Sequence, residues 1–85
     1  MGNNLHIGNL PKTVTVADLM ELFGKIGPVD NASIMMNADT GLSRGVGLVR
    51  MLNAADATTA IHRLNFTQYE GQIMSVSKDR RNGSN

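Results

Sequence analysis

The chain has 85 residues, a formal net charge of +1, 41% hydrophobic residues, two Phe, one Tyr and no Trp, so it can bury one modest core built from Ile, Leu, Val, Met and Ala. The absence of cysteine excludes a disulfide scaffold and a Cys-based zinc site. No apolar run approaches the roughly 20 residues of a membrane helix, and the start lacks the basic-then-apolar order of a signal peptide.

Met1-Gly2 opens as an N-myristoylation signal does, but His6 stands where that signal has Ser or Thr. Residues 1–3 read as a leader, 4–78 as one folded domain and 79–85 as a flexible basic and polar tail. The end, Asn82 to Asn85, has the composition of a linker, as expected of a domain cut from a longer protein.

Leu5 to Asn9 alternates apolar and polar residues, the pattern of a half-buried strand, and Leu10-Pro11 ends it. Thr15 and Asp18 form a capping box. The helix they open lines up Leu19, Leu22, Phe23 and Ile26 on one face, and Gly27-Pro28 stops it. Val29 to Met36 is a second strand with Ala32, Ile34 and Met36 inward. A turn cluster, Asn37 to Gly41, follows. Arg44 to Met51 is a third strand whose glycines permit close backbone approach. Asn53 and Asp56 repeat the capping logic for a second helix, with Ala57, Ala60, Ile61 and Leu64 inward. Thr58 and Thr59 make that helix an indifferent one. Gln72 to Lys78 closes the order, with Met74 and Val76 inward. The sequence β-α-β-β-α-β predicts an α+β fold, a ferredoxin-like sandwich of a four-stranded antiparallel sheet with two helices on one face.

Two short motifs carry the functional signal. Arg44 to Met51 reads RGVGLVRM. It follows an octamer whose order is Lys or Arg, Gly, Phe or Tyr, Gly or Ala, Phe, Val, any residue, Phe or Tyr. Arg44, Gly45, Gly47 and Val49 match it, while Val46, Leu48 and Met51 put aliphatic side chains where the pattern has rings. Leu5 to Leu10, LHIGNL, follows a hexamer with an aromatic at its second place and Asn-Leu at its end. With the two motifs in register, residues 4–78 resemble the RNA recognition motif family. The stretches LPKT (Leu10 to Thr13) and SRGVG (Ser43 to Gly47) give a nearer likeness to the first such domain of the ELAV/Hu proteins.

The resemblance implies single-stranded RNA binding on the open sheet face, with a uridine-rich preference from the ELAV/Hu likeness. The expected setting is one module of a larger RNA-processing or mRNA-regulating protein, inside the cell, in cytoplasm or nucleus. Strand alternation places His6 and Gly8, Ser33 and Met35, Arg44, Val46, Leu48 and Arg50, and Ile73, Ser75 and Ser77 on that face. His6, Val46 and Leu48 occupy the places where family members carry base-stacking rings. Arg44 matches the cation that holds phosphate. Arg50 offers either a guanidinium stacking plane or a phosphate contact. Lys78, Arg80 and Arg81 add a basic tail at the end of the last strand. If the third and last strands are neighbours, these cations make one basic surface attractive to a phosphate backbone, while Asp18, Glu21 and Asp56 stay on the helices.

Stacking contributes roughly 1–3 kcal/mol per base, so two lost rings leave a loss of about 1–4 kcal/mol, or about one to three decades of affinity. The expectation is a weak RNA binder of limited base specificity, in the micromolar range or poorer. The alternative is a protein-interaction module or dimer that covers the aliphatic patch of Met35, Val46, Leu48 and Ile73. Val16 and Met20, spaced i, i+4 on the outer side of the first helix, offer a second candidate protein contact. With His6 and His62 as the only histidines, no catalytic, metal or cofactor site is legible, and neither a small-molecule substrate nor a membrane is expected.

Overall fold

A computed structural model of the chain describes residues 3–79; Arg80 and Arg81 lie outside the described residues. The elements are β1 (Asn4–Gly8), α1 (Val16–Gly24), β2 (Val29–Met36), β3 (Ser43–Met51), α2 (Ala54–Leu64), β4 (Gln68–Tyr69), β5 (Gln72–Ile73) and β6 (Ser75–Lys78). β2, β3, β1 and β6 pair side by side in that order, each neighbour antiparallel. The expected order is therefore present, with a small β4–β5 hairpin inserted before the last strand.

The alternation read from the sequence decides which face is buried. Leu5 and Ile7 of β1, Val49 and Met51 of β3 and Val76 of β6 are buried against Leu19 and Phe23 of α1 and Ala57 and Ala60 of α2. Burying the Leu, Ile, Val, Met and Phe side chains among these contributes about 1.5–3 kcal/mol each, which makes this layer the main support of the domain. α1 starts where its capping box puts it: Thr15 Oγ1 accepts from Asp18 N at 3.2 Å, and Asp18 Oδ2 accepts from Thr15 N at 2.9 Å. Gly47 sits under α1 at the centre of the sheet. A Cβ there would come to 2.7 Å from Leu19 Cδ1 and 3.3 Å from Leu10 Cδ1, so the missing side chain lets the helix rest on the strand. Gly45, at φ 75°, accepts the backbone N–H of Leu10 at 2.9 Å.

Several local expectations are corrected. β1 ends one residue early because Asn9 turns to φ 57°, and its Nδ2 donates to Ile73 O at 2.6 Å. Met36 is 52% exposed instead of inward, because the β2–β3 register shifts after Met35: Met35 pairs with Val46, but Met36 with Ser43. Asn53 occupies the N-cap of α2 without a side-chain capping bond; its Nδ2 instead donates to Asp56 Oδ2 at 3.3 Å. The last strand is broken in two. Met74 N donates to Thr67 O at 3.0 Å and Met74 O accepts from Phe66 N at 2.9 Å, so its backbone bonds to the segment after α2 and the main sheet resumes only at Ser75.

Candidate functional site

The face opposite the helices is organised in rows across the sheet. In the central row Ser33 pairs with Leu48, Leu48 with His6 and His6 with Ser77. Towards the β1–α1 end, Met35 pairs with Val46 and Gly8 with Ser75. Towards the other end, Asn31 pairs with Arg50 and Arg50 with Asn4. His6, Met35, Val46, Leu48 and Ser75 are half-buried, while Arg44, Arg50 and Ser77 are exposed. His6, Leu48 and Val46 thus form one patch, with Arg44 at one end and Arg50 at the other.

Two hollows lie over these rows. One, of about 710 Å³, runs across His6, Met35, Arg44 and Val46 and continues past Ser77 around the β6 edge to Asn65. The other, about 120 Å³, lies among Asn4, Asn31, Ser33, Leu48 and Arg50. Asn65 also finishes the sheet edge, its Oδ1 accepting from Val76 N at 2.9 Å, which occupies an edge donor that would otherwise invite another strand.

The charge pattern differs from the single basic surface expected from neighbouring strands. β1 lies between β3 and β6, and Lys78 is the cross-strand partner of buried Leu5. The two basic strands are thus not neighbours, but Lys78 is exposed at the β6 edge and lines the larger hollow together with Arg44. Arg50 is partly neutralised: its Nη1 lies 3.5 Å from Asp30 Oδ2, and its Nε donates to Asn4 Oδ1 at 3.0 Å. Asp30 and Asn4 escaped the sequence reading. The signal for Asn4 was strand parity extended one residue back, but a bulge that brings Asp30 beside Arg50 leaves no mark in the pattern. Acid also gathers behind the sheet, where Tyr69 of β4 has its hydroxyl pKa pushed above the ordinary value by burial first, then by Asp18, Glu70 and Glu21.

Ile73 does not join the four-stranded sheet. It pairs with Gln68 in the small hairpin, because the bonds of Met74 to the post-helix segment separate it from β6. On α1, Val16 and Met20 are exposed as expected, at 39% and 42%. Among the described residues no group of three or more His, Cys, Asp or Glu is placed to hold a metal ion, and no helix is long and apolar enough to cross a membrane.

Residues 5–75 match the RNA recognition motif family. The chain is 37% identical over 79 residues to the chloroplastic 31 kDa ribonucleoprotein of Nicotiana sylvestris, which covers 93% of this chain and 25% of that protein. It spans about a quarter of the length of the curated relatives it matches. Among solved structures it is similar to Sex-lethal RNA recognition domains 1 and 2 from Drosophila melanogaster, with a TM-score of 0.86 and 32% identity over 94% of this chain and 51% of that one. The Sxl-lethal protein/RNA complex gives a TM-score of 0.88 at 32% identity, covering 94% of this chain and 48% of that chain.

Proposed function

Because this chain belongs to the RNA recognition motif family, we propose that it binds single-stranded RNA across the open face of its sheet. The observation that carries this reading is the contiguity of His6, Leu48 and Val46 on adjacent strands, with His6, Val46 and Arg44 lining one hollow. A similar structure is a protein/RNA complex, which supports the same use of the fold. His6 stacks or hydrogen-bonds a base, Val46, Leu48 and Met35 give van der Waals contact, Gly8 and Ser75 floor the adjoining row, and Arg44 contacts phosphate. Residues 4–78 act as the binding module, with Lys78, Arg80 and Arg81 as a nonspecific basic extension, inside a larger RNA-processing or mRNA-regulating protein.

Aliphatic contacts replace rings at two of the three stacking places, so binding is weak and base selection limited, with uridine-rich RNA the favoured class. Aliphatic groups lack the π-face that gives each stacked base its roughly 1–3 kcal/mol. Electrostatics at the Arg44 end then carry a large share of the affinity, and binding weakens steeply with salt.

An NMR titration of the labelled domain with short U-rich, A-rich and mixed RNAs at two salt concentrations tests this. Shifts centred on His6, Met35, Arg44, Val46 and Leu48, strongest with the U-rich strand, are expected. Silence on the sheet up to millimolar RNA would assign the aliphatic face to a protein partner instead. Shifts confined to the residues from Lys78 onward would reduce RNA binding to the tail.

A further inference from the structure

Arg50 is held from both flanking strands. Its Nε donates to Asn4 on β1 at 3.0 Å, and its Nη1 lies 3.5 Å from the Asp30 carboxylate on β2. The second contact is a product of the bulge. Val29 pairs with Met51 and Asn31 with Arg50, which leaves Asp30 as an extra residue in β2. Bulges re-aim side chains, and this one brings a carboxylate beside the guanidinium.

The two side chains are 53% and 46% exposed, so the pair contributes little to stability. Its consequences are orientation and charge. The carboxylate offsets the charge that a phosphate would seek. Anchoring two edges of the planar fork fixes the group while leaving its π faces, which use no N–H, open to a ring. The small hollow beside it is bounded by Leu48, Asn31 and Ser33, which supply an apolar wall together with an amide and a hydroxyl able to meet the edge of a base.

We propose that Arg50 is a second base-stacking platform on this face, taking one nucleobase on its guanidinium plane beside the Leu48–His6 row, with Asn4 and Asp30 as its positioning residues. The inference rests on the sheet-face reading above and assigns Arg50 to a base rather than to phosphate. It also explains how a face poor in rings retains a planar contact.

The test is fluorescence anisotropy with a labelled short oligouridylate over a range of salt, on the wild-type domain, R50K, R50A and D30N, with sheet chemical shifts recorded for each. Lysine keeps the charge but has no plane, so R50K is expected to lose about fivefold or more in affinity, as R50A does, with its salt slope unchanged. D30N is expected to lose affinity although it removes a negative charge near the RNA. Wild-type affinity in R50K, with the log–log salt slope of R50A lower by about 0.7, would make Arg50 a phosphate contact and overturn the proposal while leaving the sheet-face reading standing. Tighter binding by D30N would overturn it in the same way. A wild-type domain with no RNA-induced shift at His6 or Leu48 would remove both readings together.

Discussion

His6 of β1 and Leu48 of β3 are direct cross-strand partners at the centre of the open face. Opposed residues on one face of an antiparallel pair have their Cβ atoms about 4.5–5.5 Å apart, so a base resting on one touches the other. The imidazole is the planar member of this pair and the leucine the adaptable one. Restoring a ring at the leucine is therefore the most direct probe of what the face binds.

Leu48→Phe is expected to tighten binding of a short U-rich RNA by about three- to tenfold, a part of the roughly 1–3 kcal/mol that a stacked ring supplies. Leu48 is half-buried on the solvent side of the sheet, so the change adds a ring without touching the helix layer. Isothermal titration calorimetry reads the result. An unchanged dissociation constant would mean that bases do not lie on this row.

Arg44 is exposed and borders the larger hollow, in a position suited to one phosphate. Arg44→Ala is expected to weaken RNA binding and lower the log–log salt slope by about 0.7, the value for one contact on a single strand. Arg44→Lys should keep most of that slope. Equal slopes for wild type and the alanine variant would withdraw the phosphate role.

Gly47 holds the packing of α1 on the sheet. Ala at this position would bring a methyl to 2.7 Å from Leu19 Cδ1, and Leu19 is fully buried. Overpacking of this kind costs about 1–3 kcal/mol, so urea unfolding of Gly47→Ala should show a lower midpoint at similar slope. A midpoint equal to wild type would show that the helix does not bear on this strand as described.

Tyr69 is the single tyrosine in a chain with no tryptophan, so tyrosinate absorbance reports it alone. Its folded pKa is raised by burial, with Asp18, Glu70 and Glu21 adding to the effect, above the value of about 10 that it has unfolded. The neutral phenol thus favours the folded state below about pH 10, and that contribution is lost as pH rises through the folded value. The titration midpoint should lie higher in the native domain than in urea, and Glu21→Gln should lower it. Coincident native and denatured midpoints would contradict the partial burial of this side chain and its acidic surroundings.

The layers and the bearing of most side chains follow from the order of residues alone. Alternation at Leu5–Ile7 and Val49–Met51 and the helical spacing of Leu19 and Phe23 name the core, because periodicity is a local property of the chain. Parity with those residues places His6, Val46, Leu48 and Arg50 on the opposite face. The Thr15–Asp18 capping box was legible for the same reason, its partners being only three residues apart. The remaining features depend on pairing between distant segments. The order β2-β3-β1-β6 sets β1 between the two basic strands. Register shifts expose Met36 and bring Asp30 to Arg50. The bonds of Met74 to Thr67 and Phe66 take Ile73 out of the sheet. A register is set by which backbone groups meet across strands, and side-chain periodicity within one strand contains no record of that meeting.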